Sequence, residues 1–189
     1  MTRRGEIKMF HRTERLLLRP AWPEDWEMIL RGGGDERVVR NLARAPWPYL
    51  PEHARESAAR RQDPRFPAFL LTLPQEQGAR LVGCAGLGET SGGVELGYWI
   101  ARPYWGQGYA TEGAGGVLEV ARLLGHTRIE GRHFLDNPAS GRVLRKLGFV
   151  PTGGKGMLQS CGRAEPSAAA LYTLDLTGEE EPEMPLQAA

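Results

Sequence analysis

A change of hydrophobic period near residue 100 constrains the fold more than any other feature. FPAFLLTL (66–73), RLVGCAGLGE (80–89) and GVELGYWI (93–100) are apolar runs divided by Q-E-Q-G and T-S-G-G turns, the pattern of an antiparallel meander. From Ala110 the spacing becomes helical: Ala110, Ala114, Val117, Leu118, Ala121 and Leu124 share one face, and Gly125 supplies a stop. Between the two periods sits W-G-Q-G-Y-A-T (105–111). Two glycines bracketing one residue let a backbone approach something closely, and a helix starting behind them aims its free N–H groups at it.

The remaining segments build a mixed sheet around that junction. RLLLRP (15–20) is a short strand stopped by Pro20, and Pro23 with Glu24 and Asp25 opens a helix. Residues 35–62 have a helical pattern broken by P-W-P-Y-L-P (46–51), whose prolines force an extended loop carrying Trp47 and Tyr49. TRIEGRHFL (127–135) is a strand; Asn137, with Pro138 at the first helical position, starts a short helix that ends at Gly148. The last strands are expected at 149–152, in a hairpin region near 157–163, and at 170–176. The order β-α-α-β-β-β-α-β-α-β-β predicts an α/β fold of the mixed kind, one sheet with helices on its faces. Residues 1–12 read as a flexible arm, 13–176 as one domain and 177–189 as a solvated acidic tail.

Charge and composition remove several function classes. Lys and Arg number 24 against 23 Asp and Glu, so no overall field recommends nucleic acid or an anionic membrane as partner. No apolar run approaches the ~18 residues of a bilayer span, and no apolar core follows the basic start, so a soluble cytoplasmic chain is expected. Cys84 and Cys161 are expected as free thiols, and the four histidines lack metal-ligand spacing, so no metal site is expected.

Three readings of the glycine turn compete. It can be a bare strand-to-helix connection. It can be a dinucleotide fingerprint with Glu130 as the later acid, but Thr111 stands where the third glycine belongs and the turn follows an antiparallel meander. It can also be a diphosphate cradle for coenzyme A, formed by the N–H groups of Gly106 to Thr111 and the helix dipole.

The third reading is the one that the rest of the chain supports. W-G-Q-G-Y-A, together with T-E-R-L-L-L-R-P (13–20), V-E-L-G-Y-W-I (94–100) and N-P-A-S-G-R-V-L-R-K-L-G-F (137–149), resembles the GNAT acetyltransferases, in particular their RimJ/RimL-type branch. The family's acyl-CoA loop follows Q/R-x-x-G-x-G/A. Trp105 replaces the usual Gln or Arg, as in the RimJ/RimL form Y-W-G-x-G-Y-A-T-E.

The resemblance implies a V-splayed mixed sheet, acetyl-CoA as acyl donor, and direct transfer to a primary amine. The acceptor is a protein N-terminal α-amine or a small amine such as a polyamine or antibiotic; a non-catalytic acyl-CoA-binding module is the reading of another class. Coenzyme contacts are implied for Trp99, Ile100 and Ala101, where a backbone N–H serves as oxyanion donor. They are implied also for Trp105, Gly106, Gln107, Gly108, Tyr109, Ala110 and Thr111, and for Asn137 at the pantetheine; Arg142 and Lys146 are candidates for coenzyme phosphates, against the alternative of a solvated helix face. Ser140 is the implied acid for the departing thiolate, with Tyr98, Tyr104 and Tyr172 as substitutes, while Trp47, Tyr49 and Tyr98 are the expected acceptor-pocket residues. Asn137 and Ser140 also fit plain helix capping. Glu95, a carboxylate in an otherwise apolar strand, is expected as the base, against the alternative of an arginine-paired carboxylate holding the sheet. Monomer and homodimer are both compatible with the sequence.

Overall fold

The computed structural model describes residues 9–76 and 78–177. Strands β1 (His11–Arg12), β2 (Leu17–Arg19), β3 (Ala68–Gln75), β4 (Gly78–Thr90), β5 (Gly93–Ile100), β6 (Arg128–Phe134), β7 (Val150–Leu158) and β8 (Ser167–Asp175) form one sheet in the order β1-β2-β3-β4-β5-β6-β8-β7. Every neighbouring pair is antiparallel except β5 and β6. That parallel contact holds at one register, Glu95 opposite Glu130, and past it the strands part toward Ile100 and Phe134. The V-shaped opening expected from the resemblance is this divergence.

Helices α1 (Trp26–Gly33), α2 (Glu36–Val39) and α3 (Pro51–Ala59) precede β3; α4 (Tyr109–Leu123) connects β5 to β6, and α5 (Pro138–Lys146) follows β6. Among the described residues no helix is long and apolar enough to cross a membrane. The main core lies under α4 and α5 and includes Leu18, Phe69, Leu71, Val82, Leu96, Val117 and Ile129. A smaller one, with Ile29, Ala54, Leu70 and Leu81, lies under α1 and α3. Glycines inside α4 each cost up to about 1 kcal/mol of helix propensity. Close packing explains them: a Cβ at Gly113 would come within 2.5 Å of Leu71 Cδ1, and one at Gly116 within 2.9 Å of Thr13 Cγ2.

The boundaries differ from expectation in three places. The arm is not free up to residue 12, because Thr13 and Leu16 close a tight turn (Thr13 N–H to Leu16 O, 3.0 Å) that pairs His11 and Arg12 with Leu18 and Leu17. Within 35–62 only α2 and α3 are helical, and Pro51 opens α3 instead of ending the loop, using the first helical position where no N–H is needed. The strand expected at 149–152 continues to Leu158 as β7, with its register broken between Pro151 and Lys155. As the outermost strand, β7 tolerates a proline. Of the acidic tail, residues 178–189 lie outside the described residues.

Candidate active site

After β5 the chain makes a short 3-10 turn (Arg102–Tyr104), and then Gly106 (φ 75°) and Gly108 (φ 84°) adopt left-handed backbone that side chains disfavour. Gly108 caps α4. The helix's own bonding begins with Glu112 N–H to Gly108 O at 3.1 Å, so the N–H groups of Tyr109, Ala110 and Thr111 are its orphan donors, at the positive end of the dipole. Trp105 is exposed, and its indole N–H donates to Ile100 O at 2.6 Å, tying the loop to the end of β5. The Gln107 amide donates to Pro103 O at 3.0 Å. The Tyr109 ring is buried, edge-on to Tyr104 with centroids 6.1 Å apart.

Arg15, which sequence reasoning passed over, reaches this loop from the β1–β2 turn. Its Nε lies 2.7 Å from Glu112 Oε2, its Nη1 donates to Gln107 O at 3.2 Å, and its guanidinium sits 4.4 Å above the Tyr109 ring. Glu112 Oε1 accepts from the Thr13 hydroxyl at 2.6 Å and from the Arg15 N–H at 2.7 Å. Burial pushes the Glu112 carboxyl up, but these hydrogen bonds outweigh it and hold the group below the usual glutamate range. The available signal was an acid, Glu112, one turn into α4 and an arginine in T-E-R-L.

Strand parity sorts the residues at the splay. Ala101 N–H donates to Val82 O at 2.8 Å, so the N–H of Trp99 also turns toward β4, while those of Tyr98 and Ile100 turn toward β6. Of the Trp99–Ala101 backbone, Ile100 therefore supplies the donor that faces the opening. Side chains alternate as well: Leu96, Tyr98 and Ile100 point to the α4 and α5 face, and Glu95, Gly97 and Trp99 to the α1 face.

On the α4–α5 face, Tyr98 Oη lies 2.8 Å from Ser140 Oγ and donates to Ser140 O at 3.1 Å. Burial pushes the Tyr98 phenol up to about 12, with the Ser140 hydrogen bond offsetting part of the effect. Ser140 N–H is also received by the Asn137 side chain at 3.4 Å, the capping bond foreseen for that residue. The other two tyrosines have different surroundings: Tyr104 packs on Tyr109, while Tyr172 Oη accepts from Arg145 at 3.1 Å and sits 3.4 Å from His133 Nε2. Arg142 and Lys146 are exposed on α5.

On the α1 face, Glu95 forms a two-point ion pair with Arg132 of β6, Nε to Oε1 at 2.5 Å and Nη2 to Oε2 at 2.8 Å. Beside it, a Cβ at Gly97 would meet no described atom within 4 Å, which leaves an open path on the sheet between Glu95 and Trp99. The Trp99 ring lies against α1, where Cβ atoms at Gly32 and Gly33 would come within 3.3 and 3.2 Å of it. Tyr49 packs beside Gly34 with its phenol raised by burial, and Trp47 is exposed. The β7–β8 loop is fastened nearby: Arg163 donates to both Asp136 oxygens (2.9 and 2.8 Å) and to Arg40 O (2.7 Å), and Ser160 to Val39 O (3.1 Å). Asp136, at the end of β6, is held below the usual aspartate range by the Arg163 hydrogen bonds, which outweigh its slight burial.

These residues fit an acyl-CoA. Orphan N–H groups and left-handed glycines suit a diphosphate, and the β5–β6 opening leads from that loop to the Tyr98–Ser140 pair. A family profile described as an acetyltransferase (GNAT) domain matches residues 15–150. An uncharacterized N-acetyltransferase, p20 of Bacillus licheniformis, is 24% identical over 174 residues, covering 89% of this chain and 96% of its own length. Another, YoaA of Bacillus subtilis, is 28% identical over 148 residues, covering 75% and 82%. Among solved structures, a GNAT acetyltransferase from Bacillus anthracis has a TM-score of 0.75 at 24% identity, over 88% of this chain and 98% of that one. RimL, a ribosomal α-N-protein acetyltransferase solved with coenzyme A, has a TM-score of 0.70 at 17% identity over 88% and 98%. At these identities the structural likeness is one of fold. The profile, by contrast, spans the loop, the opening and α5 together, and so the chain belongs to the GNAT family and is an acetyl-CoA-dependent acetyltransferase.

Proposed function

We propose that the protein acetylates a protein or peptide N-terminal α-amine. The observation that carries this reading is the Glu95–Arg132 pair: both carboxylate oxygens already serve a guanidinium, so the carboxylate is a poorly available base. At pH 7 a lysine-like amine costs about 4.6 kcal/mol to deprotonate and an α-amine about 1.1 kcal/mol. A site without a free strong base suits the second. RimL, which shares the fold, is an α-N-protein acetyltransferase, and this agrees.

Acetyl-CoA supplies the acetyl thioester. The acceptor approaches on the α1 face over Gly97, between Trp99 and Glu95, and its ammonium proton leaves to solvent water. The neutral nitrogen then bonds to the carbonyl carbon, and the Ile100 N–H receives the negative charge that develops on the carbonyl oxygen. As the carbon–sulfur bond breaks, the electron pair stays on sulfur, where the Ser140 hydroxyl donates a hydrogen bond while the Tyr98 hydroxyl holds Ser140 in place. A phenol near 12 remains protonated across the working range, so Tyr98 keeps its proton while it orients Ser140. The nitrogen gives up a second proton as the amide forms; the thiolate gains one proton, and one is released to solvent overall.

Thiol release from acetyl-CoA tests the reading with three acceptors: peptides with free N-termini, the same peptides N-terminally blocked but carrying lysine, and a polyamine. The free α-amine should be preferred at pH 7. Preference for the polyamine or for lysine would overturn it, and binding of acetyl-CoA with no turnover on any amine would leave a binding module.

A further inference from the structure

Resting on the reading of residues 106–111 as the diphosphate cradle, we propose that Arg15 is a positioning residue for acetyl-CoA, acting through the Gln107–Gly108 peptide and through Glu112. The peptide between Gln107 and Gly108 is trans, since the one cis bond among the described residues is Trp47–Pro48. In a trans peptide the C=O and the following N–H point in opposite directions. Arg15 Nη1 donates to the Gln107 carbonyl at 3.2 Å, which turns the Gly108 N–H away from Arg15, next in the chain to the orphan donors of α4. Gly108 has the left-handed backbone this arrangement needs, and a Cβ there would come within 3.4 Å of Arg15 Nη2.

The second contribution is electrostatic. Glu112 follows directly on the orphan donors Tyr109 to Thr111, and its side chain is only 13% exposed. An unpaired carboxylate there would repel a diphosphate held by the same helix end. Arg15 Nε at 2.7 Å and the Thr13 hydroxyl at 2.6 Å engage both of its oxygens, so the cation of this pair lets the helix end attract anions despite the acid. The β1–β2 turn thus reaches the coenzyme loop without contributing a direct ligand.

Arg15→Met, Arg15→Lys and the double variant Arg15→Met/Glu112→Gln test the proposal with two donors, acetyl-CoA and S-acetylpantetheine, which lacks the diphosphate. Arg15→Met should raise the KM and the calorimetric Kd for acetyl-CoA about tenfold, leaving kcat and the KM for S-acetylpantetheine near wild type. Arg15→Lys should lie between wild type and Arg15→Met, and adding Glu112→Gln should recover part of the lost affinity. Unchanged acetyl-CoA affinity, or an equal loss with S-acetylpantetheine, would overturn the role. Absence of transfer by the wild type with every amine would count against the proposed function alone, because the calorimetric comparison still decides Arg15.

Discussion

The hydroxyls of Tyr98 and Ser140 lie 2.8 Å apart, one on β5 and one on α5, where the parallel β5–β6 pair has begun to open. Neither is free to act alone, since the phenol fixes the serine rotamer and accepts or donates the shared proton. Tyr98→Phe and Ser140→Ala should each lower kcat about tenfold to a hundredfold with the KM for acetyl-CoA nearly unchanged. The double variant should lose little beyond either single one, as residues acting in one unit do. Single-turnover transfer measures this, and multiplicative losses would show that the two act separately.

Gly97 separates stability from activity. It lies in a strand interior with no described atom near its missing Cβ. Gly97→Ala should therefore raise stability by about 0.5–1 kcal/mol through the unfolded chain. It should also raise the KM for the acceptor and leave acetyl-CoA affinity alone, because the added methyl occupies the acceptor path. Thermal unfolding and steady-state kinetics on one preparation check both. A variant with an unchanged acceptor KM would move the path elsewhere.

Asp136 gives a pH signature. Its carboxyl is held below the usual range in the folded protein, so the associated stability is fully present above the unfolded aspartate value, about 3.9, and is lost as pH falls through the lower folded value. Arg163→Met removes the largest cause, leaving the weaker pull of Arg40 at 3.2 Å. The variant should be less stable at pH 7, and the gap to wild type should narrow below about pH 4. Denaturant midpoints from pH 7 to pH 3 measure it, and a gap independent of pH would assign the loss to the Arg163 contacts with Arg40 and Phe134 instead.

What could be read from sequence was what short-range pattern encodes. The meander, α4 with its glycine start, and the Asn137 cap are set by periodicity and by residues within one turn of each other. Pairings across the chain carry no local signal. Arg15 and Glu112 are 97 residues apart, and Glu95 and Arg132 are 37 apart. Sequence allowed Glu95 to be either a free base or a paired carboxylate, because strand parity and the β5–β6 register bring Arg132 to it. The same parity turns the Ile100 N–H, among the three backbone donors of 99–101, toward the β5–β6 opening, and brings the Tyr98 side chain to Ser140. Strand β7 escaped full recognition because P-T-G-G-K-G alternates no hydrophobicity, and only its pairing with β8 makes it extended.

The pH dependence of kcat/KM for a peptide with a free N-terminus, measured on wild type and Glu95→Gln, tests most directly whether the acceptor's own ionisation replaces a catalytic base. The expected profile rises to a plateau with its midpoint at the peptide's α-amine, about 7.8, and Glu95→Gln leaves that midpoint in place even where it lowers the plateau. A midpoint well below that of the amine, present in wild type and abolished by Glu95→Gln, would establish Glu95 as the base and contradict the proposed reaction.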